Sequence, residues 1–284
     1  MKSNNPIFSR SEQFNGRAAA PGYSGYGDPT AYGAGDQQVD QHVDQGRMTI
    51  DSVVQKTAIS LFVVIATAAL TWWWTGDSIT ENSFGEQVQN DDAIGRLYLA
   101  LMVGSFGAFA LSIVNSMKRI VSPPLVIGFA VLEGVALGAF SKIIPLYTGV
   151  GNGVIVQAVI GTFAAFAGTL AAYKFFDIQV GNKFRTFVFG AMLGMVALGM
   201  MEMALSFFGN AVGFFGFGGL GLVFAIGGLV LGVFMLILDF DFVEQGIAAG
   251  APERESWRAA FALTVSLVWI YTNLLRILAI LQSD

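Results

Sequence analysis

The 284-residue sequence contains no cysteine, and its one histidine, His42, lies in a polar N-terminal segment. Without cysteine the chain has neither a disulfide framework nor a thiol nucleophile. A Ser–His protease of the membrane needs a histidine base among its helices, and a zinc protease needs the pattern H-E-x-x-H. Because the sequence offers neither, we expect no enzyme and no resident cofactor. A mechanism that uses carboxylates alone stays open.

Charge is also scarce. Charged residues make up 12% of the chain and hydrophobic residues 54%, whereas a soluble domain carries about 25% charged residues. So few charges leave too little polar surface for a water-facing exterior. The net charge is −5 and there is no basic patch, so nucleic acid is not an expected partner. The expected surroundings are a lipid bilayer.

The apolar residues form runs of about 20 residues, the length of a helix that crosses a ~30 Å hydrocarbon core. In lipid such runs must be helices unless they close a β-barrel, and the alternating pattern of a barrel strand is missing. The sequence therefore predicts an all-α membrane protein with a seven-transmembrane-helix bundle. The predicted spans are roughly 54–74, 97–115, 123–146, 154–174, 186–208, 219–238 and 260–281.

Residues 1–46 have a different composition, rich in Gly, Gln, Asp and Tyr. Such a segment buries too little apolar surface to offset the entropy of ordering. We interpret it as a disordered cytoplasmic tail, followed by a transmembrane domain over 47–284. Ser52 and Gln55 have the spacing of a capping box, which predicts a helix start there.

The placement of lysine and arginine predicts the orientation, because short cytoplasmic loops are enriched in both. The loop at 75–96 is acidic, and the alternate loops are basic. The N-terminus is therefore expected in the cytoplasm and the C-terminus outside the cell membrane. The basic side carries Arg47, Lys56, Lys118, Arg119, Lys174, Lys183, Arg185, Arg254 and Arg258.

Three pairs of glycines have the small-xxx-small spacing that lets membrane helices approach closely. We interpret all three as packing positions. The pairs are Gly134/Gly138, Gly190/Gly194 and Gly228/Gly232.

Several charged residues fall inside or at the edge of the spans. A charge at a helix centre costs roughly 2.5–3.5 kcal/mol on insertion scales, so such residues usually face the bundle interior. Glu133 is near the middle of the third span, and it is either an ion ligand or proton carrier, or a packing residue. Glu202 and Arg276 lie at similar depths in the fifth and seventh spans, which predicts an ion pair with a structural role.

Asp239 and Asp241 are predicted to end the sixth span, in LILDFDFVEQ. One interpretation is a solvated helix end. The other is partial burial, because helix C-termini disfavour negative charge and the neighbouring residues are apolar. Two close carboxylates suit a hard cation such as Ca²⁺, and they also suit a proton switch, since like charges interact strongly at short range.

The seventh span carries Ser266, Asn273 and Arg276. Spacings of seven and three residues place them near one helix face. This polar stripe is expected to face inward.

LEGVALG in the third span, LILDFDFV in the sixth and NLLRILAIL near the end resemble the Bax inhibitor-1 family, the transmembrane Bax-inhibitor-motif proteins. NNPIFSR and QGRMT resemble its actinobacterial branch. The resemblance covers roughly 47–284. It implies seven helices with the last one central, and a pH-sensitive calcium leak channel for which Ca²⁺ is the transported ion.

The resemblance also implies roles for single residues. Asp239 matches the sixth-helix aspartate of the family, and Asp241 replaces the family's glutamine. The basic latch of the second helix would fall at Lys118 or Arg119, and Arg276 matches the last-helix arginine. Ser266 stands where the family has the partner aspartate of its pH-sensing pair.

Two functions are expected. The first is a cation leak coupled to proton binding, with Asp239 as the gate carboxylate and Asp241 in support. The second is a non-conducting membrane regulator that binds a membrane protease or a stress-response partner through its N-terminal tail. The long tail and the missing second aspartate motivate the second function.

Overall fold

A computed structural model describes residues 46–81, 87–176 and 178–283. Over these residues the chain forms seven α-helices and one β-hairpin. All seven helices are long and apolar enough to cross a membrane, so the predicted seven-helix membrane bundle is confirmed. Apart from Gly46, the tail predicted at 1–46 lies outside the described residues. The elements are α1 (Ile50–Thr75), β1 (Ile79–Glu81), β2 (Gln87–Gln89), α2 (Asp91–Met117), α3 (Pro123–Thr148), α4 (Gly153–Phe175), α5 (Asn182–Phe207), α6 (Gly219–Ala248) and α7 (Glu255–Gln282).

The first helix begins with a capping box one turn earlier than predicted. The Thr49 hydroxyl accepts a hydrogen bond from the backbone N–H of Ser52, and the Ser52 hydroxyl accepts one from the N–H of Thr49, both at 3.1 Å. The box predicted at Ser52 and Gln55 is therefore wrong, because Ser52 closes the box instead of opening it. A reciprocal cap satisfies two N–H groups that the first turn leaves unpaired.

The sixth helix extends ten residues past its predicted end at 238. The apolar run stops at the acidic pair, but the helix continues, and Gln245 bonds to Asp241 one turn away. With 30 residues, α6 is about 45 Å long and exceeds the ~30 Å hydrocarbon core.

A short antiparallel hairpin occupies part of the predicted acidic loop. Ile79 pairs with Gln89 and Thr80 with Val88. Sequence reasoning missed it, since strands of three residues show no periodicity that can be recognised.

The last helix is the most buried of the seven and packs against α1, α3, α4 and α6. The predicted central position of α7 is therefore confirmed. The α2 helix packs chiefly on α3, and α5 packs chiefly on α6. These two helices stand at the outside of the described bundle.

Two of the three glycine pairs sit at close helix contacts. A Cβ atom on Gly134 would lie 1.8 Å from Thr67 Oγ1, and one on Gly228 would lie 2.3 Å from Asn273 Oδ1. Their partners Gly138 and Gly232 are also in tight contact, with α1 and α7 respectively. The packing prediction is wrong for Gly190/Gly194 within the described chain, where a Cβ at either position meets nothing within 4 Å.

Contacts between helix termini define two ends of the bundle. At the near end, where α1 begins, Lys56 Nζ forms an ion pair with Glu253 Oε1 at 2.9 Å, and Ser52 shares a hydrogen bond with Ser256. At the far end, Lys142 Nζ donates to Trp72 O at 3.1 Å and to Gly76 O. A lysine of α3 thus caps the carbonyls at the end of α1, where a positive charge is favourable.

Candidate functional site

Asp239 lies within α6 and is directed at the central helix. It is nine residues before Ala248, or about 13 Å along the axis. Its Oδ2 atom accepts a hydrogen bond of 2.6 Å from Ser266 Oγ on α7, and no basic side chain pairs with it among the described residues. The predicted position at a helix end is wrong, because the carboxylate is held at the α6–α7 interface.

Asp241 is directed to a different helix. Arg185 Nη2 on α5 donates to Asp241 Oδ2 at 2.5 Å, and Gln245 Nε2 lies 2.9 Å from both carboxylate oxygens. Positions two residues apart in a helix are about 200° apart around the axis, so Asp239 and Asp241 face different neighbours.

This separation bears on the predicted Ca²⁺ site. Ca²⁺ takes six to eight oxygen ligands, and the two carboxylates do not converge on one point. In the part of the chain that the structure describes, no group of three or more His, Cys, Asp or Glu residues could hold a metal. The joint site predicted from Asp239 and Asp241 is therefore not formed.

The predicted latch residues lie at the near end but do not reach Asp239. The backbone carbonyls of Lys118 and Arg119 accept hydrogen bonds from Arg258 Nη2, at 3.4 and 2.6 Å. Arg258 also pairs with Glu255 at 3.3 Å. A basic residue of α7 thus ties the end of α2 to the centre of the bundle, and the latch to Asp239 is absent among the described contacts.

Glu202 and Arg276 both bind the far-end loop, residues 208–218, and not each other. Glu202 accepts hydrogen bonds from the backbone N–H groups of Val212 at 2.9 Å and Gly213 at 2.7 Å. Arg276 Nη2 donates to the carbonyls of Phe214 at 2.6 Å and Gly216 at 3.3 Å. The ion pair predicted between Glu202 and Arg276 is therefore wrong, although both side chains are buried at one end of the bundle.

Glycine lets the loop present its backbone to both charges. Gly213 has a φ of +102°, a region that residues with a Cβ rarely adopt. Successive N–H groups can then converge on a single carboxylate, an arrangement that binds anions.

The polar stripe of α7 faces the interior, as its spacing predicts. Ser266, Asn273 and Arg276 are all buried. Asn273 Nδ2 donates to Trp269 O at 2.7 Å, and its side chain lies against Gly228 of α6. The stripe thus joins α7 to α6 and to the far-end loop.

Glu133 lies apart from these contacts, in a crevice of about 290 Å³ between α2, α3 and α7. No described residue forms a hydrogen bond or an ion pair with its carboxylate. The other lining residues are Ser105, Ala108, Phe109, Ser112, Phe129, Val265, Val268, Trp269 and Thr272.

Sequence reasoning missed two arginines that organise the site. Arg185 neutralises Asp241, and Arg258 holds the end of α2. The sequence predicts both only as loop charges that set the orientation. The available signal is that each lies in the first turn of a helix, where a positive charge is unfavourable unless another segment supplies an acid or a free carbonyl as its partner.

A family model described as Bax inhibitor 1 like matches residues 5–283 of the chain. A comparison with curated proteins finds no match. The family match spans almost the whole chain, including all seven helices. The chain is therefore a multi-pass membrane protein that belongs to the Bax inhibitor 1-like family.

Proposed function

We propose that the protein is a pH-sensitive cation leak channel, with Ca²⁺ as the conducted ion and Asp239 as the carboxylate on which gating depends. The observation that carries this proposal is the 2.6 Å contact between Asp239 and Ser266 at the interface of α6 and the central helix. A carboxylate at this depth is costly to keep. The calcium assignment rests on the family and is an analogy.

The contact gives the carboxylate a means to control the α6–α7 interface. From the described residues Asp239 receives one hydroxyl hydrogen bond and no counter-charge, whereas the neighbouring Asp241 is neutralised by Arg185. A proton on Asp239 removes the charge and lets the two helices stay in contact. Loss of the proton leaves a charge with one donor, which a cation that enters the interface would stabilise.

The lack of a basic partner favours one of two gating schemes. In the first, deprotonation changes a latch to Lys118 or Arg119. In the second, it creates the cation site itself. Since Arg258 bonds to the backbone of the latch segment and neither Lys118 nor Arg119 forms an ion pair with Asp239 among the described residues, we propose the second scheme. As a channel, the protein would need neither a catalytic residue nor a resident cofactor.

We also propose the cell membrane as its location, with a cytoplasmic N-terminus. Lys56, Arg185 and Arg258 make their contacts at the near end, which supports a cytoplasmic near end under the positive-inside rule. Membership of the actinobacterial branch stays a prediction from NNPIFSR and QGRMT.

Calcium uptake by proteoliposomes tests the proposal. For the wild type we expect an uptake that changes between about pH 6 and about pH 8, and for Asp239→Asn an uptake that is independent of pH because the titrating group is gone. Asp51→Asn, an exposed acid at the near end, is the matched control and should behave as wild type. An unchanged pH response in Asp239→Asn would remove Asp239 from the gate.

A second candidate function is a non-conducting regulator that binds a protein partner. Ser266 favours it, because a single carboxylate bound to a hydroxyl is also a stable structural contact that requires no ion. The partner would bind through the tail, whose residues 1–45 lie outside the described range. No flux above that of empty liposomes, with a cross-linked partner that is lost when 1–45 are deleted, would support this function.

A further inference from the structure

We propose that the crevice between α2, α3 and α7 binds a small organic ammonium ion, with Glu133 as its counter-charge. The crevice has a volume of about 290 Å³. It contains a carboxylate inside the membrane-spanning part of the protein, about 15 Å along α3 from Pro123. The site is separate from the contact between Asp239 and Ser266.

The first argument is that the Glu133 carboxylate has no partner within the part of the chain that the structure describes. Asp239 is bound by Ser266, Asp241 by Arg185, and Glu202 by two backbone N–H groups. Among the described residues, nothing bonds to Glu133, which is half-buried in the wall of the crevice. A charge that is removed from water without a partner is costly. A cation in the crevice would supply the missing partner.

The second argument is the chemistry of the walls. Phe109, Phe129 and Trp269 line the crevice together with small aliphatic side chains. Aromatic rings attract organic cations through their faces. Trp269 is fixed in place because its Nε1 donates to Gly228 O on α6 at 2.8 Å. Because this N–H is already bonded, a ligand in the crevice can contact only the ring surface of Trp269.

The same walls argue against a metal ion. Ca²⁺ needs six to eight oxygen ligands, whereas the crevice has one carboxylate and the hydroxyls of Ser105, Ser112 and Thr272. The Thr272 hydroxyl already donates to Trp269 O. An ammonium group needs one counter-charge and few acceptors, and its alkyl part suits the aromatic and aliphatic lining.

The volume limits the size of the ligand. Pockets for drug-sized ligands run from about 300 to about 1,000 Å³, so this crevice is at the small end of that range. It suits a cation with a few carbon atoms, such as butylammonium. A lipid acyl chain is the competing occupant, but a carboxylate in the wall disfavours a purely apolar chain.

Butylammonium binding to the full-length protein in lipid nanodiscs tests the proposal, by ligand-observed saturation-transfer NMR at about pH 8, where a carboxyl is normally ionised and the amine still charged. We expect saturable binding to the wild type, about tenfold weaker binding to Glu133→Gln, and no saturable binding of the neutral isostere butanol. Asp51→Asn, which removes an exposed acid at the near end, is the control and should bind as the wild type does.

A second variant, Ser105→Leu, keeps the proposal testable if Glu133→Gln does not fold. Ser105 is exposed at the wall of the crevice, so Ser105→Leu fills the space without overpacking the core and should also weaken binding. Equal binding of butylammonium to wild type and Glu133→Gln, or equal binding of butanol and butylammonium, would overturn the proposal. The second result would identify the crevice as a site for acyl chains.

Discussion

At the scale of single residues, the contact between Asp239 and Ser266 is the most informative. The family resemblance placed Ser266 opposite Asp239, and the structure brings the two within 2.6 Å. A serine can donate to a carboxylate but cannot share a proton with it as a second carboxylate does. The interface is thus built for one titrating group in place of two.

A double-mutant cycle would measure this contact. Ser266→Ala should lower the free energy of unfolding, and in the cycle with Asp239→Asn the coupling should be about 0.6 and at most about 1.7 kcal/mol, the average and the maximum for hydrogen bonds between membrane helices. Unfolding in mixed micelles with increasing SDS is the measurement.

Ser105→Ala is the control for that cycle, because Ser105 is exposed and no described residue bonds to its hydroxyl. It should show no coupling to Asp239→Asn. A coupling of zero between Ser266 and Asp239 would mean that the contact adds nothing to stability.

At the scale of the element, the same glycine spacing occurs both at close helix contacts and at positions where no helix is in contact. Gly134 and Gly190 share a sequence pattern, yet the first lies against Thr67 and the backbone carbonyl of Val64, and the second lies against nothing within 4 Å. Spacing alone cannot make this distinction, because it depends on how each helix is rotated about its axis.

Gly134→Ala should lower the free energy of unfolding by about 1–3 kcal/mol, since the added Cβ would force α1 away from α3. Gly190→Ala is the matched control, with the same substitution in a helix of equal length. It should be neutral or stabilising by up to about 1 kcal/mol, because alanine favours a helix. Equal losses in both variants, measured by thermal unfolding in detergent, would contradict the assigned packing.

The last prediction at this scale concerns the hydrogen bonds that Glu202 accepts from the far-end loop. Glu202→Gln leaves one acceptor oxygen for two N–H groups, so the amides of Val212 and Gly213 should exchange with deuterium about tenfold faster, the equivalent of about 1.4 kcal/mol. Mass spectrometry of peptides that cover 208–218 reports the exchange.

Glu81→Gln, which replaces an exposed residue of β1, is the control. It should leave the amide exchange of the far-end loop unchanged. Equal protection of the loop in wild type and Glu202→Gln would show that the carboxylate does not hold it.

Helix boundaries and site partners differ in how far they can be predicted. The seven spans follow from hydropathy, because the bilayer requires about 20 apolar residues per crossing. The extension of α6 to Ala248 does not, because these turns lie past the apolar run, in a polar segment where Asp241 bonds to Arg185 and Gln245. The sequence predicts a similar depth for Glu202 and Arg276. It does not predict that each of them bonds to the backbone of the far-end loop instead of to the other.

At the scale of the whole transmembrane unit, the two ends are held differently. The near end contains ion pairs between side chains, as in Lys56 with Glu253 and Arg185 with Asp241. The far end uses side chains that bind backbone, as in Lys142 on Gly76 and Arg276 on Phe214. Proton-dependent changes are therefore expected at the near end, where the ion pairs between described side chains lie.

The central position of α7 has a consequence for biogenesis. Synthesis runs from the N-terminus, so α1, α3, α4 and α6 are all made before α7, the helix that they surround. The partners of Ser266, Asn273 and Arg276 on α6 and in the far-end loop therefore precede these residues in the chain. A chain truncated before residue 255 would leave the faces of α1, α3, α4 and α6 that pack on α7 without their central partner.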